Sequence, residues 1–193
     1  MFRKLIYLFC FVLVLMIAAP VFGVDILART DFIIAIDADG GSDSPDNEPV
    51  TEAIDRIYGG ANQKYLNFGG ANSGFIVTPA YGPSTIDSFT MWTANDAEPR
   101  DPATWQLYGT NAAIASAHHS TGTAESWTLI DSGSISLPTE RNDPDPGPPG
   151  NRATVPVTST GTYASYKMLF PTIKGGGGDT YMQFAEIQFY GFF

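Results

Sequence analysis

Met182-Gln-Phe-Ala-Glu-Ile-Gln-Phe-Tyr-Gly191 decides how the rest of the chain is read. Alternation makes it a strand, yet its apolar residues do not keep one parity: Met182 and Phe184 point one way, Ile187 and Phe189 the other. For all four to face a core, an extra residue has to be absorbed at Ala185-Glu186, which predicts a β-bulge that re-aims Glu186 and frees a carbonyl. The competing reading is a strand apolar on both faces, without a bulge. Upstream, the strand candidates are 32–36, 74–78, 85–93, 104–108, 126–130, 153–157 and 163–170, with turn clusters between nearly all of them. Trp105 with Leu107, Trp127 with Leu129, Val155 with Val157, and Tyr166 with Met168 and Phe170 share faces and are read as core. Only 50–58 looks helical, and it is too short to organise a fold. Evenly spaced strands without crossover helices predict an all-β, antiparallel sandwich.

Composition agrees and narrows the function. The 193 residues contain 20 Gly, 14 Pro and 13% aromatics, a turn-rich β composition rather than that of a helical bundle. The net charge is -10, and it becomes -12 without residues 1–23, which hold Arg3 and Lys4 but no acid. That balance argues against nucleic acid and against strong binding to anionic membranes, since both need Lys and Arg. Arg3 and Lys4 precede an apolar run from Leu5 to Ala19, then Pro20, with small residues before Val24. Residues 1–23 therefore read as a signal peptide cleaved near Val24, leaving a single domain, 24–193, that is secreted or otherwise extracytoplasmic. The competing reading keeps Leu5 to Val24 as an anchor, because about 20 apolar residues span a bilayer. The only cysteine, Cys10, lies in this segment, so the domain has no disulfide, thiolate zinc site or cysteine nucleophile. His118 and His119 are adjacent and cannot form the i, i+4 pair of a zinc-protease helix. The proline-rich 142–151 reads as a surface loop, and the glycine-rich 174–179 as a hairpin loop rather than a phosphate cradle.

The ordered motifs resemble the discoidin-like, galactose-binding-like jelly roll of coagulation-factor type C domains and carbohydrate-binding modules. The resemblance spans roughly residues 33–191. It rests on Glu52-Ala53-Ile54-Asp55, Lys64-Tyr65-Leu66-Asn67-Phe68, Ser73-Gly74-Phe75-Ile76-Val77-Thr78-Pro79, Thr93-Ala94-Asn95-Asp96-Ala97 and Arg100-Asp101-Pro102. It continues in Trp105-Gln106-Leu107-Tyr108-Gly109, Trp127-Thr128-Leu129-Ile130, Leu137-Pro138 with Arg141, Tyr166-Lys167-Met168-Leu169-Phe170 and Ala185-Glu186-Ile187. It implies a sandwich of about eight strands whose end loops bind ligand. It also implies a structural calcium held by Asp55, carbonyls around Ala53 and from Gln63 to Lys64, and Glu186 with the neighbouring carbonyl at Ala185. Calcium takes six to eight oxygens, which such a mixture supplies. Arg56 stands where the family usually has Gly.

Several residue types suit a sugar. The Arg100 fork matches hydroxyls or carboxylates, with Asn95, Asp96 and Asp101 as nearby acceptors, although Asp96, Arg100 and Asp101 equally suit an internal loop ion pair. His118 and His119 lie in a polar loop. Trp92, out of parity with Phe89 and Met91, is the candidate stacking ring. The acidic stretch Asp37 to Glu48 lacks the glycine placement and helices of a calcium loop and reads as solvated. The expectation is a non-catalytic carbohydrate-binding module with glycan or polysaccharide partners and a structural calcium. The alternatives are an extracellular adhesion or self-assembling protein with protein partners, and an enzyme using paired carboxylates, for which no pair is singled out.

Overall fold

The computed structural model describes residues 23–141, 151–159, 161–178 and 180–193. The expected leader and most of the proline-rich loop lie outside these residues. Eleven strands are formed among them: β1 Val24–Asp25, β2 Phe32–Ile36, β3 Tyr65–Asn67, β4 Ser73–Thr78, β5 Thr85–Trp92, β6 Pro102–Thr110, β7 Thr128–Ser134, β8 Arg152–Pro156, β9 Ser165–Ile173, β10 Met182–Phe184 and β11 Glu186–Phe192. Every expected strand is present, and β1 and β3 are additional. The helical expectation at 50–58 shrinks to a 3-10 turn over Val50–Ile54.

All the ladders are antiparallel. A five-stranded sheet, ordered β2-β4-β9-β6-β7, faces a four-stranded sheet, ordered β1-β11-β5-β8, and β10 pairs with β3 in a small third sheet. The parity break in 182–191 is met by dividing the strand. Met182 and Phe184 belong to β10, Ile187 and Phe189 to β11, and all four are fully buried in one core. Ala185 is the joint, its N–H donating to the Trp92 carbonyl at 3.0 Å. The expected bulge is therefore a passage between sheets; the register shift in the β11 ladder lies instead between Tyr190 and Gly191.

The two inner faces meet in aromatic contacts. Phe184 sits edge-on to Tyr65 and Phe170, with centroids 5.7 and 5.6 Å apart, and Phe75 stacks on Phe189 at 6.2 Å. Side chains of this size dominate burial, so this cluster ties β3, β4, β9, β10 and β11 into one core. Trp105 and Leu107 join it as expected. Trp127 and Leu129 do not, because β7 is an edge strand. Leu129 is 50% exposed, while Trp127 packs against Ile34, Ile36 and Ile76 on the outer face of the five-stranded sheet. That outer cluster is roofed by the 111–127 loop, whose Glu125 carboxylate accepts from Ser116 N–H and Oγ.

Candidate functional site

The C-terminal end of β2, the start of β4 and the joint between β10 and β11 all open on one end of the sandwich. The loops gathered there carry most of the residues singled out above.

Asn95 and Asp96 are tied inward. Lys64, 3% exposed, donates from Nζ to Asn95 Oδ1 at 3.0 Å and to Asp96 Oδ1 at 2.6 Å, with Glu48 Oε1 3.5 Å away. Gln183 Nε2 adds donors to the Asp96 carbonyl and Oδ1. Burial raises the Asp96 carboxyl, but the Lys64 hydrogen bond and charge outweigh it and hold the group below its ordinary range. Asp101, fully buried, accepts both arms of the Arg141 guanidinium at 2.7 and 2.8 Å and lies 3.1 Å from Lys174 Nζ. Asp96 is thus paired with Lys64, Asp101 with Arg141 and Lys174, and Glu98 also with Lys174. The Arg100 guanidinium lies over the Tyr181 ring, 4.9 Å from its centroid.

Trp92 is 2% exposed, so the stacking ring expected there is not available. It does sit on the outer face of β5, as its parity requires, but Tyr58 covers it at 4.8 Å and the Arg152 guanidinium lies 5.5 Å over the ring. The exposed aromatic is Phe68, 39% exposed, directly after β3, with Tyr181 4.9 Å away. The available signal was position: each ring borders a glycine-rich turn, Gly69-Gly70 or Gly175 to Gly178.

The two histidines are built into the same end. Residues 119–120 run beside β2: His119 N–H donates to the Ala35 carbonyl, and Asp37 N–H to the Ser120 carbonyl, each at 2.9 Å. His118 Nδ1 accepts from Ala35 N–H at 3.1 Å, which places the ring proton on Nε2. Burial, with the neighbouring His119, pushes the His118 pKa down, so the ring is a neutral donor at pH 7. His119 Nδ1 meets Asp37 Oδ2 at 2.8 Å, and its Nε2 lies 3.3 Å from Asp43 Oδ1. The Asp37 to Glu48 stretch is therefore only partly solvated, since Asp37 is buried. The Asp43 carbonyl in turn accepts from Phe68 N–H at 2.9 Å. Arg100, Tyr181, Phe68, Asp43 and His119 thus form one contiguous run.

The residues expected around calcium lie beside β11. Glu186 is fully buried; its Oε2 accepts from Arg56 N–H at 3.0 Å, and its Oε1 has no partner. Gln63 Oε1 is likewise buried without a partner. Burial, opposed by Arg56 but reinforced by Asp55 and Asp25, pushes the Glu186 pKa up to about 9. Burial and Asp55 push Glu52 up to about 7. Arg56 occupies the family's glycine position with φ 69°, the left-handed conformation a glycine would take, and sends its guanidinium to Asp25 and the Leu27 carbonyl. Among the described residues no three His, Cys, Asp or Glu side chains are grouped to hold a metal. An ion here would need two carboxylates, the Gln63 amide oxygen and backbone carbonyls of Ala53, Lys64 or Ala185. Two orphaned buried oxygens and a carboxyl that resists ionisation without a cation fit that demand. The Lys64 and Ala53 side chains contribute nothing to it, the first being committed to Asn95 and Asp96 and the second being a buried methyl.

No family model matches the chain, and no curated protein matches it. Solved structures do. CpGH89CBM32-5 from Clostridium perfringens, in complex with GalNAc-beta-1,3-galactose, has a TM-score of 0.57 at 16% identity, covering 86% of this chain and 99% of its own. The family 32 module of C. perfringens NanJ, in complex with galactose, has a TM-score of 0.57 at 15% identity, covering 88% and 99%. A fucolectin from striped bass serum has a TM-score of 0.54 at 14% identity, covering 89% of this chain and 50% of that one. The fold is the discoidin-like, galactose-binding-like jelly roll.

Proposed function

We propose that the domain is a non-catalytic carbohydrate-binding module working outside the cytoplasm, with its ligand held at the Phe68 end of the sandwich. The observation that carries this reading is the contiguous surface of Phe68, Tyr181 and Arg100 continuing through Asp43 to His119. A sugar needs an apolar face to lie on and directional groups to read its hydroxyls. Phe68 and Tyr181 supply the first. Arg100 and the His118 Nε2–H donate, and Asp43, whose side chain is 80% exposed, accepts. Asp39, Asp43 and Asp46 give the rim a negative charge, which favours neutral sugars over uronic or sulfated ones. The sugars named with the similar structures, galactose and GalNAc-beta-1,3-galactose, are neutral. A structural calcium is part of the proposal: Asp55, Glu186, Gln63 and backbone carbonyls would hold it, and it would neutralise the buried carboxylates and fix the 55–64 loop against β11.

The test is a glycan and polysaccharide panel with calcium present, followed by titration of the best ligand against Phe68→Ala. One stacking contact is worth about 1 kcal/mol or more, so affinity should fall at least about fivefold with an unchanged melting temperature. No binding across neutral glycans, or equal affinity in Phe68→Ala, would overturn the assignment.

A further inference from the structure

His119 stands between two carboxylates, and its two ring nitrogens are served unequally. Nδ1 meets Oδ2 of the fully buried Asp37 side chain at 2.8 Å. A carboxylate accepts, so Nδ1 carries the proton and Nε2 is left with a lone pair. Nε2 is shielded from solvent and has no hydrogen-bond partner among the described residues, yet Asp43 Oδ1 lies only 3.3 Å away. Two acceptors thus face each other at close range, an arrangement that calls for a cation. Asp37 Oδ1, behind the ring, and Ser44 Oγ, next along the chain from Asp43, are also shielded and unpartnered. Buried polar atoms are nearly always satisfied, so this concentration of orphans points to a partner from outside the chain.

The spacing is that of a chelate rather than of a hydrogen bond. Zinc takes an imidazole nitrogen at about 2.0–2.1 Å and a carboxylate oxygen at about 2.0–2.2 Å, which sets tetrahedral neighbours about 3.3–3.5 Å apart. His119 Nε2 and Asp43 Oδ1 already stand at that separation without being hydrogen-bonded. Asp37 is the outer carboxylate that fixes the tautomer and orientation of a ligating histidine. The backbone holds the group in place. His119 N–H donates to the Ala35 carbonyl and Asp37 N–H to the Ser120 carbonyl, which keeps ring and carboxylate in register. His119 takes φ 55° to do so, a left-handed conformation uncommon outside glycine and characteristic of sites that impose it. Asp43 is fixed in turn, its Oδ1 accepting from Ser44 N–H at 2.8 Å. His118 is not a ligand, because its Nδ1 accepts from Ala35 N–H and its Nε2 carries the proton.

We infer that His119 Nε2 and the Asp43 carboxylate hold a divalent transition-metal ion of the zinc class, with Asp37 behind the ring. Imidazole suits zinc, whereas calcium takes oxygens, so this site is separate from the one beside β11. Two protein ligands leave about two tetrahedral positions to water, on the side where the Asp43 side chain is 80% exposed. The site lies within the surface proposed for the glycan but does not rest on that reading, since the metal alone tests it.

The test titrates zinc chloride into the full chain in mild detergent. Cys10→Ser removes the thiolate that would compete, and excess calcium occupies any calcium site. Calorimetry should show one zinc per chain. Outer carboxylates are worth about 10–100-fold in metal affinity, so Asp37→Asn should weaken uptake by at least about tenfold, and Asp43→Asn, which removes a ligand, by no less. Asp43 is largely exposed, so its variant keeps the fold and decides the matter even if the buried Asp37→Asn does not fold. Long-range 1H–15N spectra at saturating zinc should show His119 keeping its Nδ1 proton and shifting at Nε2. No uptake, uptake unchanged in Asp43→Asn, ligation through Nδ1, or displacement of the zinc by calcium would overturn the inference. Several weakly held zinc ions per chain, indifferent to both substitutions, would show adventitious surface binding only and overturn it as well.

Discussion

Glu186→Gln separates a buried acid waiting for a cation from one that merely fills space. In the folded chain without metal the Glu186 pKa is pushed from its ordinary 4.5 up to about 9, chiefly by burial. The folded state then keeps a proton that the unfolded state releases, so this group's contribution is full below about pH 4.5 and is lost progressively as pH rises towards 9. Each pH unit in that window is worth about 1.4 kcal/mol, so pH 5 to 7 removes about 3 kcal/mol. For a domain of this size that is a fall of about 6–12 °C in melting temperature. Glu52, pushed up to about 7, acts in the same direction, but it is partly exposed and adds less. His118 acts oppositely: its pKa is lowered, so the folded state disfavours its protonation and loses stability as pH drops through about 6.5. The informative quantity is therefore wild type minus Glu186→Gln, in which the His118 and Glu52 contributions largely cancel. With a chelator present, calorimetric melts at pH 5, 6, 7 and 8 should show wild type losing stability relative to the variant. With calcium present the loss should vanish, because binding at a hundred times Kd returns about 2.7 kcal/mol. Parallel pH profiles for the two proteins in chelator would refute the burial argument. A calcium increment of equal size in both would refute the role of Glu186 as a ligand.

The remaining predictions concern the frame around the site. Asp101→Asn leaves Arg141 and Lys174 without their buried partner and should cost about 3–5 kcal/mol in urea unfolding; a loss below about 1 kcal/mol would show that the triad is solvated. Trp92→Leu removes a ring enclosed by Tyr58 and Arg152, so it should lower the urea midpoint while leaving glycan affinity unchanged. A change in affinity alone would restore Trp92 as a contact residue. Gly191→Ala would set a methyl 1.7 Å from the Thr85 carbonyl oxygen and should destabilise by about 1–3 kcal/mol or more, read from the same curves.

What could be read in the sequence, and what could not, follows from how far each signal reaches. Alternation is local, and it placed the strands and the inward faces of β5, β6 and β9. The parity break at Ala185 was also local, but its resolution was not. A bulge and a passage into a second sheet produce the same pattern of apolar residues, and only the pairing of β10 with β3 rather than β5 distinguishes them. Trp92 failed for the same reason. Parity put its ring on the outer face correctly, but what covers that face is Tyr58, 34 positions away, and Arg152, 60 positions away, and neither is visible from β5. Trp127 and Leu129 alternate as a core pair does, yet an edge strand at the end of a five-strand order has less to pack against. Phe68 follows β3 directly, and only the chain's departure into Gly69-Gly70 leaves its ring in the open. Asp96, Arg100 and Asp101 show how little residue type settles. Three adjacent charges looked able either to pair with each other or to read a ligand. Lys64, Arg141 and Lys174, each remote in sequence, hold the two acids, and the Arg100 guanidinium lies over the Tyr181 ring.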